Sequence, residues 1–397
     1  MSNNCILKRE KSINLFAFLF LMTLLCIMGY NAYDNMALQF ASYGFECALI
    51  GYTFIASNIK HNNINTTSVV IVAVIILFNY LISPNEPEYS DLIKYVGYLG
   101  CFIFGDYLAR NYDVLKVHNI WLYSIIIIPA ILVAFFDDTI LKNMFFRTPN
   151  GFVYLGVAIG AFYLLIKGRQ KKYLLRATLI SGLYILICTS LGVVVAALLT
   201  YTILNLKRKH LPYLILGIVA FLMAVFFIDI PLFVRIRDVF TVWRYVYDNN
   251  GLANIQNVDF VEINKLDQKG ERTDSASSIW RIVHWIGIFK LYVEQIWTIP
   301  FGMGAGFSVK TTGLYPHNDY LLILSEYGLV VFCFFFKFLA NIYRRLKNEN
   351  FFIYFILTML LYHFTENLLN NFPPGAILYV IIGWSLRKYG TKYVVNS

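Results

Sequence analysis

Charge is what this chain has least of. Only 14% of its 397 residues are Asp, Glu, Lys or Arg, whereas 58% are hydrophobic, and the mean hydropathy is +0.61. That balance excludes an ordinary soluble globular domain. Cysteine is scarce where it would matter. The six, Cys5, Cys26, Cys47, Cys101, Cys188 and Cys333, lie in the N-terminal tail or inside apolar runs. The one long polar stretch, 229–319, has none, which argues against a disulfide framework or a Cys-based zinc site there. No Asp-x-Asp pair occurs, and inverted internal repeats are not visible. Gly302-Met-Gly-Ala-Gly306 follows no buried strand and lacks the Gly-Lys-Ser/Thr ending of a phosphate loop, so its glycines are read as allowing a tight backbone turn.

What the chain has in abundance is apolar runs long enough to cross a bilayer, which takes about 20 helical residues. Twelve are expected: 13–30, 36–56, 66–82, 91–109, 120–136, 151–166, 173–188, 190–206, 211–228, 320–341, 351–369 and 375–387. The first follows Lys8-Arg9-Glu10-Lys11 without a small-x-small cleavage site before Tyr30, so it is read as a retained helix. The net charge of +10 sits in short basic clusters between these runs, the pattern of topology signals and not of a nucleic-acid partner. With a cytoplasmic N-terminus, nineteen Lys and Arg fall on inner segments and only Lys142 and Arg147 on short outer loops. The expectation is an all-α polytopic integral membrane protein with both termini cytoplasmic. Residues 1–228 carry the first nine spans, 229–319 form a long outer loop, and 320–397 carry the last three.

A loop of about 90 residues is long enough to need a function of its own. Nine basic and ten acidic residues leave it mixed in charge. Two membrane-hugging helical pieces are expected around a polar middle, Asn249 to Ser278. The second piece, Ser278 to Trp297, is amphipathic with three Trp, and at 100° per residue Arg281, His284 and Gln295 share a face opposite Lys290.

The loop ends in Pro316-His317-Asn318-Asp319, which runs directly into the tenth apolar segment. Pro316 suits a first helical turn, which places His317 at the mouth of a membrane helix. The order is Trp280-Arg281, then Pro300-Phe-Gly-Met-Gly-Ala-Gly-Phe307, then His317-Asn318, nine residues, and Gly328-Leu329. In that order the chain resembles the O-antigen polymerase and ligase superfamily, bacterial inner-membrane glycosyltransferases with a GT-C-like fold. The resemblance covers Ser278 to Leu329. It implies undecaprenyl-diphosphate-linked oligosaccharides as donor and acceptor, and a metal-independent transfer without cofactor on the periplasmic face. A flippase and a chain-length regulator of the same pathway are the implied protein partners.

That reaction needs a base for the attacking hydroxyl and cations for the leaving diphosphate. His317 suits the first, since imidazole titrates near neutrality. Arg281 suits the second, with a fixed fork of donors for phosphate oxygens. Arg235, Arg237 and Arg244 either help hold a diphosphate or anchor to lipid headgroups; Arg237 and Arg244 share a face at i, i+7. His284, Asn318 and Glu326 complete the candidate site, Glu326 either as a site group or as one held by a structural partner such as a loop arginine. Lys94, Asp106, His363 and Glu366 are further ionisable groups inside apolar runs. Asp106 and Arg110 fit a helix pair, and His363 with Glu366 resembles half of a metal motif. Asp137-Asp138 is read as a solvated outer turn. The chain departs from the family at Leu191, where many members place the arginine of a Ser-Arg pair, and at Val331, often small or polar there. The first departure favours a polymerase over a ligase that hands the glycan to lipid A core. A lipid-linked oligosaccharide flippase or transporter is the reading from another class.

Overall fold

The computed structural model describes residues 3–57, 74–81, 89–111, 149–167, 171–188, 191–205, 211–229, 231–257, 277–347, 350–369 and 371–389. Among the described residues the chain is all-helical, with no strand. The main helices are α1 (Asn3–Tyr33), α2 (Met36–Ser57), α3 (Tyr89–Asn111), α4 (Pro149–Lys167), α5 (Lys171–Cys188), α6 (Leu191–Asn205), α7 (Leu211–Phe227), α8 (Pro231–Asn250), α9 (Ser277–Glu294), α10 (Asp319–Leu346), α11 (Asn350–Tyr362) and α12 (Phe372–Tyr389).

A helix at an expected place is not by itself a membrane crossing. Among the described residues two helices are long and apolar enough to span a membrane, Asp91–Arg110 within α3 and Asp319–Leu346, which is α10. Shorter apolar stretches run over Asn14–Tyr30, Gly192–Leu204, Ile215–Phe227 and Ile353–Tyr362. The expected range 120–136, most of 66–82, Asp137-Asp138 and residues 258–276 of the polar middle lie outside the described residues. One expected range is corrected. The helix predicted over 351–369 stops at Tyr362, and 363–369 runs as turns and irregular backbone in which the N–H groups of Leu368 and Leu369 are taken by the Asp319 side chain of α10.

One apolar core joins α1–α6 with α10–α12, built around Phe20, Phe104, Tyr154, Tyr184, Phe355 and Trp384. Helices α3 and α12 meet backbone to backbone. A Cβ added at Gly105 would lie 2.1 Å from the Val380 carbonyl oxygen, and one at Gly383 the same distance from that of Phe102. Small residues permitting so close an approach are the usual device where apolar helices associate without a hydrophobic drive from water. The outward faces of α5 and α7 are apolar and exposed, through Leu175, Leu179 and Leu183 and through Ile215, Leu216, Met223 and Phe227. Patches of that kind mark a surface for lipid or for another protein.

The polar stretch holds a second, small core. Val242 and Val246 of α8 pack against Ile255 and against Ile279 of α9, and the Trp243 indole N–H donates to Ser278 Oγ at 3.0 Å. The two helical pieces expected here are therefore present and packed together. Helix α9 ends at Glu294, which leaves Gln295 off the face where its period placed it beside Arg281 and His284.

Helix α10 is not the uninterrupted rod its composition suggests. Gly328 has φ 82° and ψ 173°, a conformation essentially reserved for glycine, and the helix breaks there. The freed carbonyls of Ser325 and Glu326 accept from the N–H groups of Met303 (2.8 Å) and Gly304 (3.1 Å). Asn79 Nδ2 adds a second donor to the Glu326 carbonyl at 3.1 Å. A broken apolar helix needs such replacement donors, because lipid offers none. The loop comes close enough only because glycine faces glycine: a Cβ at Gly328 would lie 2.4 Å from the Gly302 nitrogen.

Candidate functional site

The site is assembled at the start of α10. Asn318 is its N-cap, with Oδ1 accepting from the N–H groups of Tyr320 and Leu321, both at 3.0 Å, and Asp319 places an acid in the first turn. Pro316 thus precedes the helix and does not fill its first turn, because the capping side chain comes two residues after it. Between them His317 has φ +49°, an uncommon value for a residue with a side chain. That left-handed turn sends the chain sharply from the loop into α10.

Helix α9 closes over this turn. The Trp285 indole N–H donates to the Pro316 carbonyl. The Trp280 ring meets the His317 ring edge-on at 5.5 Å and stacks on His284 at 4.8 Å. His284 lies one helical turn after Trp280 and Arg281, so the predicted face is formed for Arg281 and His284. Burial is the main cause that pulls the His284 imidazole below its ordinary range, and the His317 ring adds to it, while hydrogen bonds to the backbone of Leu314 and Tyr315 pull the other way.

The third contribution comes from the irregular segment after α11. Glu366 Oε1 accepts from Arg281 Nη2 at 2.7 Å, and Glu366 Oε2 lies 3.4 Å from His317 Nδ1. Arg281 Nη1 also donates to the Thr365 carbonyl at 2.9 Å. Its Nε makes no hydrogen bond among the described residues. The Glu366 side chain is 5% exposed, against 20% for Arg281 and 28% for His317. A carboxylate on Nδ1 leaves Nε2 as the nitrogen available to a substrate.

A second carboxylate–imidazole pair crosses the first. Asp319 Oδ2 accepts from His363 Nδ1 at 2.5 Å and from the N–H groups of Leu368 (2.7 Å) and Leu369 (3.1 Å). His363 Nε2 in turn stands 3.0 Å from the Tyr154 hydroxyl. With Nδ1–H donated to an acceptor-only carboxylate, Nε2 of a neutral ring accepts from Tyr154. His363 and Glu366, the pair that resembles half of a metal motif, thus turn to different groups. Each is claimed by a different partner on the far side of the junction.

The other candidates have different places. Glu326 lies two turns further along α10, where it accepts from the N–H groups of Gly306 (3.0 Å) and Ser308 (3.2 Å) and from the Ser308 hydroxyl. Its partner is the Gly-rich loop and not a loop arginine. Arg237 Nη2 pairs with Asp229 at 2.5 Å, and Nη1 donates to the carbonyls of Val225 and Phe226 at the end of α7. Arg244 is 85% exposed and 3.7 Å from Asp248 one turn on. Arg235 lies in α8 and its side chain is outside the described residues. The structure thus joins Arg281, His284 and His317 and does not bring Arg237 or Arg244 to them. The expected Asp106–Arg110 pair is formed, within α3.

Glu366 and Trp280 are what sequence reasoning missed as site residues. Trp280 was visible as the neighbour of Arg281 on an amphipathic helix. Glu366 was visible only as an ionisable residue in an apolar run. A groove of about 410 Å³ lies beside the turn, lined by Trp285, Ile286, Phe289, Lys290, Asn318 and Leu321. No protein-family model and no curated protein sequence matches the chain.

Proposed function

We propose that this chain is a membrane glycosyltransferase of the O-antigen polymerase type, which moves a growing glycan from undecaprenyl diphosphate onto a new lipid-linked repeat unit. The observation that carries the reading is the convergence of Arg281, Glu366 and His317 at the N-terminal end of a membrane-capable helix. An imidazole, a guanidinium and an apolar groove side by side fit a substrate with a sugar hydroxyl, a diphosphate and an isoprenoid tail. The left-handed backbone at His317 adds support, since such outliers cluster where a side chain must be aimed. In this reading the chain has twelve spans in a bacterial inner membrane, with cytoplasmic termini and the site on the periplasmic face.

In the transfer the acceptor hydroxyl attacks the anomeric carbon as the bond to the diphosphate oxygen breaks, with inversion. The hydroxyl proton passes to His317 Nε2, and the charge left on the diphosphate is met by Arg281. The isoprenoid chain lies along the groove of Trp285, Ile286, Phe289 and Leu321. Surface-polysaccharide ladders from a deletion strain complemented with wild type, His317→Ala or Arg281→Ala test this. Core bearing a single repeat in the deletion strain, unrestored by either variant, is the expected pattern. Core with no repeat would replace the polymerase with a ligase or flippase, and full ladders from His317→Ala would end the proposed chemistry.

A further inference from the structure

Arg281 faces a competitor in this structure. The guanidinium that the proposed function assigns to a diphosphate is already held by Glu366, and the same carboxylate reaches His317 with its other oxygen. The two bonds are unequal. Arg281 sits at 2.7 Å, whereas His317 at 3.4 Å is near the limit of a hydrogen bond. A buried carboxylate shared in this way cannot serve both donors at full strength.

We infer that Glu366 is the positioning residue of this site: it holds Arg281 until a diphosphate displaces it, and then closes onto His317 Nδ1 to orient the ring for proton transfer. A diphosphate offers Arg281 more charge and more oxygens than one carboxylate, so it competes for the guanidinium fork. Loss of the arginine leaves Glu366 with the imidazole as its neighbouring donor. The change tightens the carboxylate–imidazole bond when donor is present and fixes Nδ1–H, leaving Nε2 to accept the hydroxyl proton. Only hydrogen bonds are exchanged in this step. The Thr365 carbonyl, 2.9 Å from Nη1, keeps Arg281 from swinging out of the site during the exchange. This inference rests on the proposed function for the identity of the anion, but the competition itself does not depend on glycosyl transfer.

The test uses the full chain in detergent, with farnesyl diphosphate as a short isoprenoid diphosphate, and separately a lipid-linked repeat unit as substrate. Glu366→Gln is expected to bind farnesyl diphosphate about 3- to 10-fold more tightly than wild type, because the arginine is released. Arg281→Ala is expected to lose that binding. With the repeat unit, Glu366→Gln is expected to lower KM while kcat drops about 10- to 100-fold, the size of effect seen when a group orienting an active residue is removed. A residue that only holds the fold would instead raise KM or lower the folded fraction. Glu366→Asp, which keeps the charge but withdraws it, is expected to shift both readouts in the same direction and covers the case in which Glu366→Gln does not fold. Binding that is no tighter in either variant, or undiminished in Arg281→Ala, overturns the inference. Polymer formation by wild type without the tighter binding leaves the glycosyltransferase reading standing alone, and tighter binding without polymer does the reverse.

Discussion

Two carboxylate–imidazole pairs lie at the same junction, made from the same two segments, and they are built differently. In the Asp319–His363 pair both side chains are about 95% buried or more, and the carboxylate oxygen that holds the ring also holds two backbone N–H groups. In the Glu366–His317 pair the ring is 28% exposed, its backbone is left-handed, and the carboxylate is shared with an arginine. The buried pair, with three donors on Asp319 Oδ2, ties segment 363–369 to α10. A long, shared bond at an open ring can change partners. Residue type therefore does not distinguish the two histidines; ring exposure and an arginine sharing the carboxylate do, and on the proposed function they mark His317 as the reactive one.

The sharpest way to break the comparison is to exchange the penalties. His317→Ala is expected to reduce glycan polymerisation by at least about 100-fold, the usual range for loss of a general base, with little change in thermal stability. Asp319→Ala is expected to cost about 3 kcal/mol or more, since it strands the His363 ring and two buried N–H groups. Thermal unfolding in detergent, read beside ladder formation per folded molecule, separates the two. Gly328→Ala comes next, at about 2 kcal/mol or more, because a Cβ strains a φ of 82° and strikes the Gly302 nitrogen; protease resistance of the 302–306 loop reports it directly. Arg244→Ala, on the exposed face of α8, is expected to cost under about 0.5 kcal/mol and to leave ladders intact.

The smallest effect concerns pH. Burial holds the His284 imidazole below its ordinary range, so the unfolded chain binds a proton more readily than the folded one. Stability contributed by neutral His284 is therefore full above the ordinary histidine range and is lost as pH falls through it toward the lowered folded value. His284→Phe is expected to flatten that part of the stability–pH curve, which melting temperatures measured from neutral pH to about pH 5 would show.

Much of this architecture was legible in the sequence. Long apolar runs placed most of the helices, and the period of 278–297 put Arg281 and His284 on one face. The Pro316–Asp319 knot marked where the site would form. What stayed hidden depended on contacts between distant segments. The break in α10 needs Gly302 opposite Gly328, two glycines 26 positions apart whose proximity no local pattern announces. The early end of α11 needs Asp319 to take the N–H groups of Leu368 and Leu369. The same contact carries Glu366 out of an apolar run and into the site. Arg237 was equally hidden: its i, i+7 spacing with Arg244 is real, but its contacts with Asp229 and the end of α7 follow from no local pattern.

The most direct measurement is a polymerisation assay with purified protein, a lipid-linked repeat unit and three chains: wild type, His317→Ala and Asp319→Asn, each scored as polymer per folded molecule. The account predicts ladders from wild type and a folded but inactive His317→Ala. It also predicts an Asp319→Asn that loses folded protein and retains activity in whatever remains. Ladders from His317→Ala, or a stable and inactive Asp319→Asn, would contradict the division of labour between the two pairs.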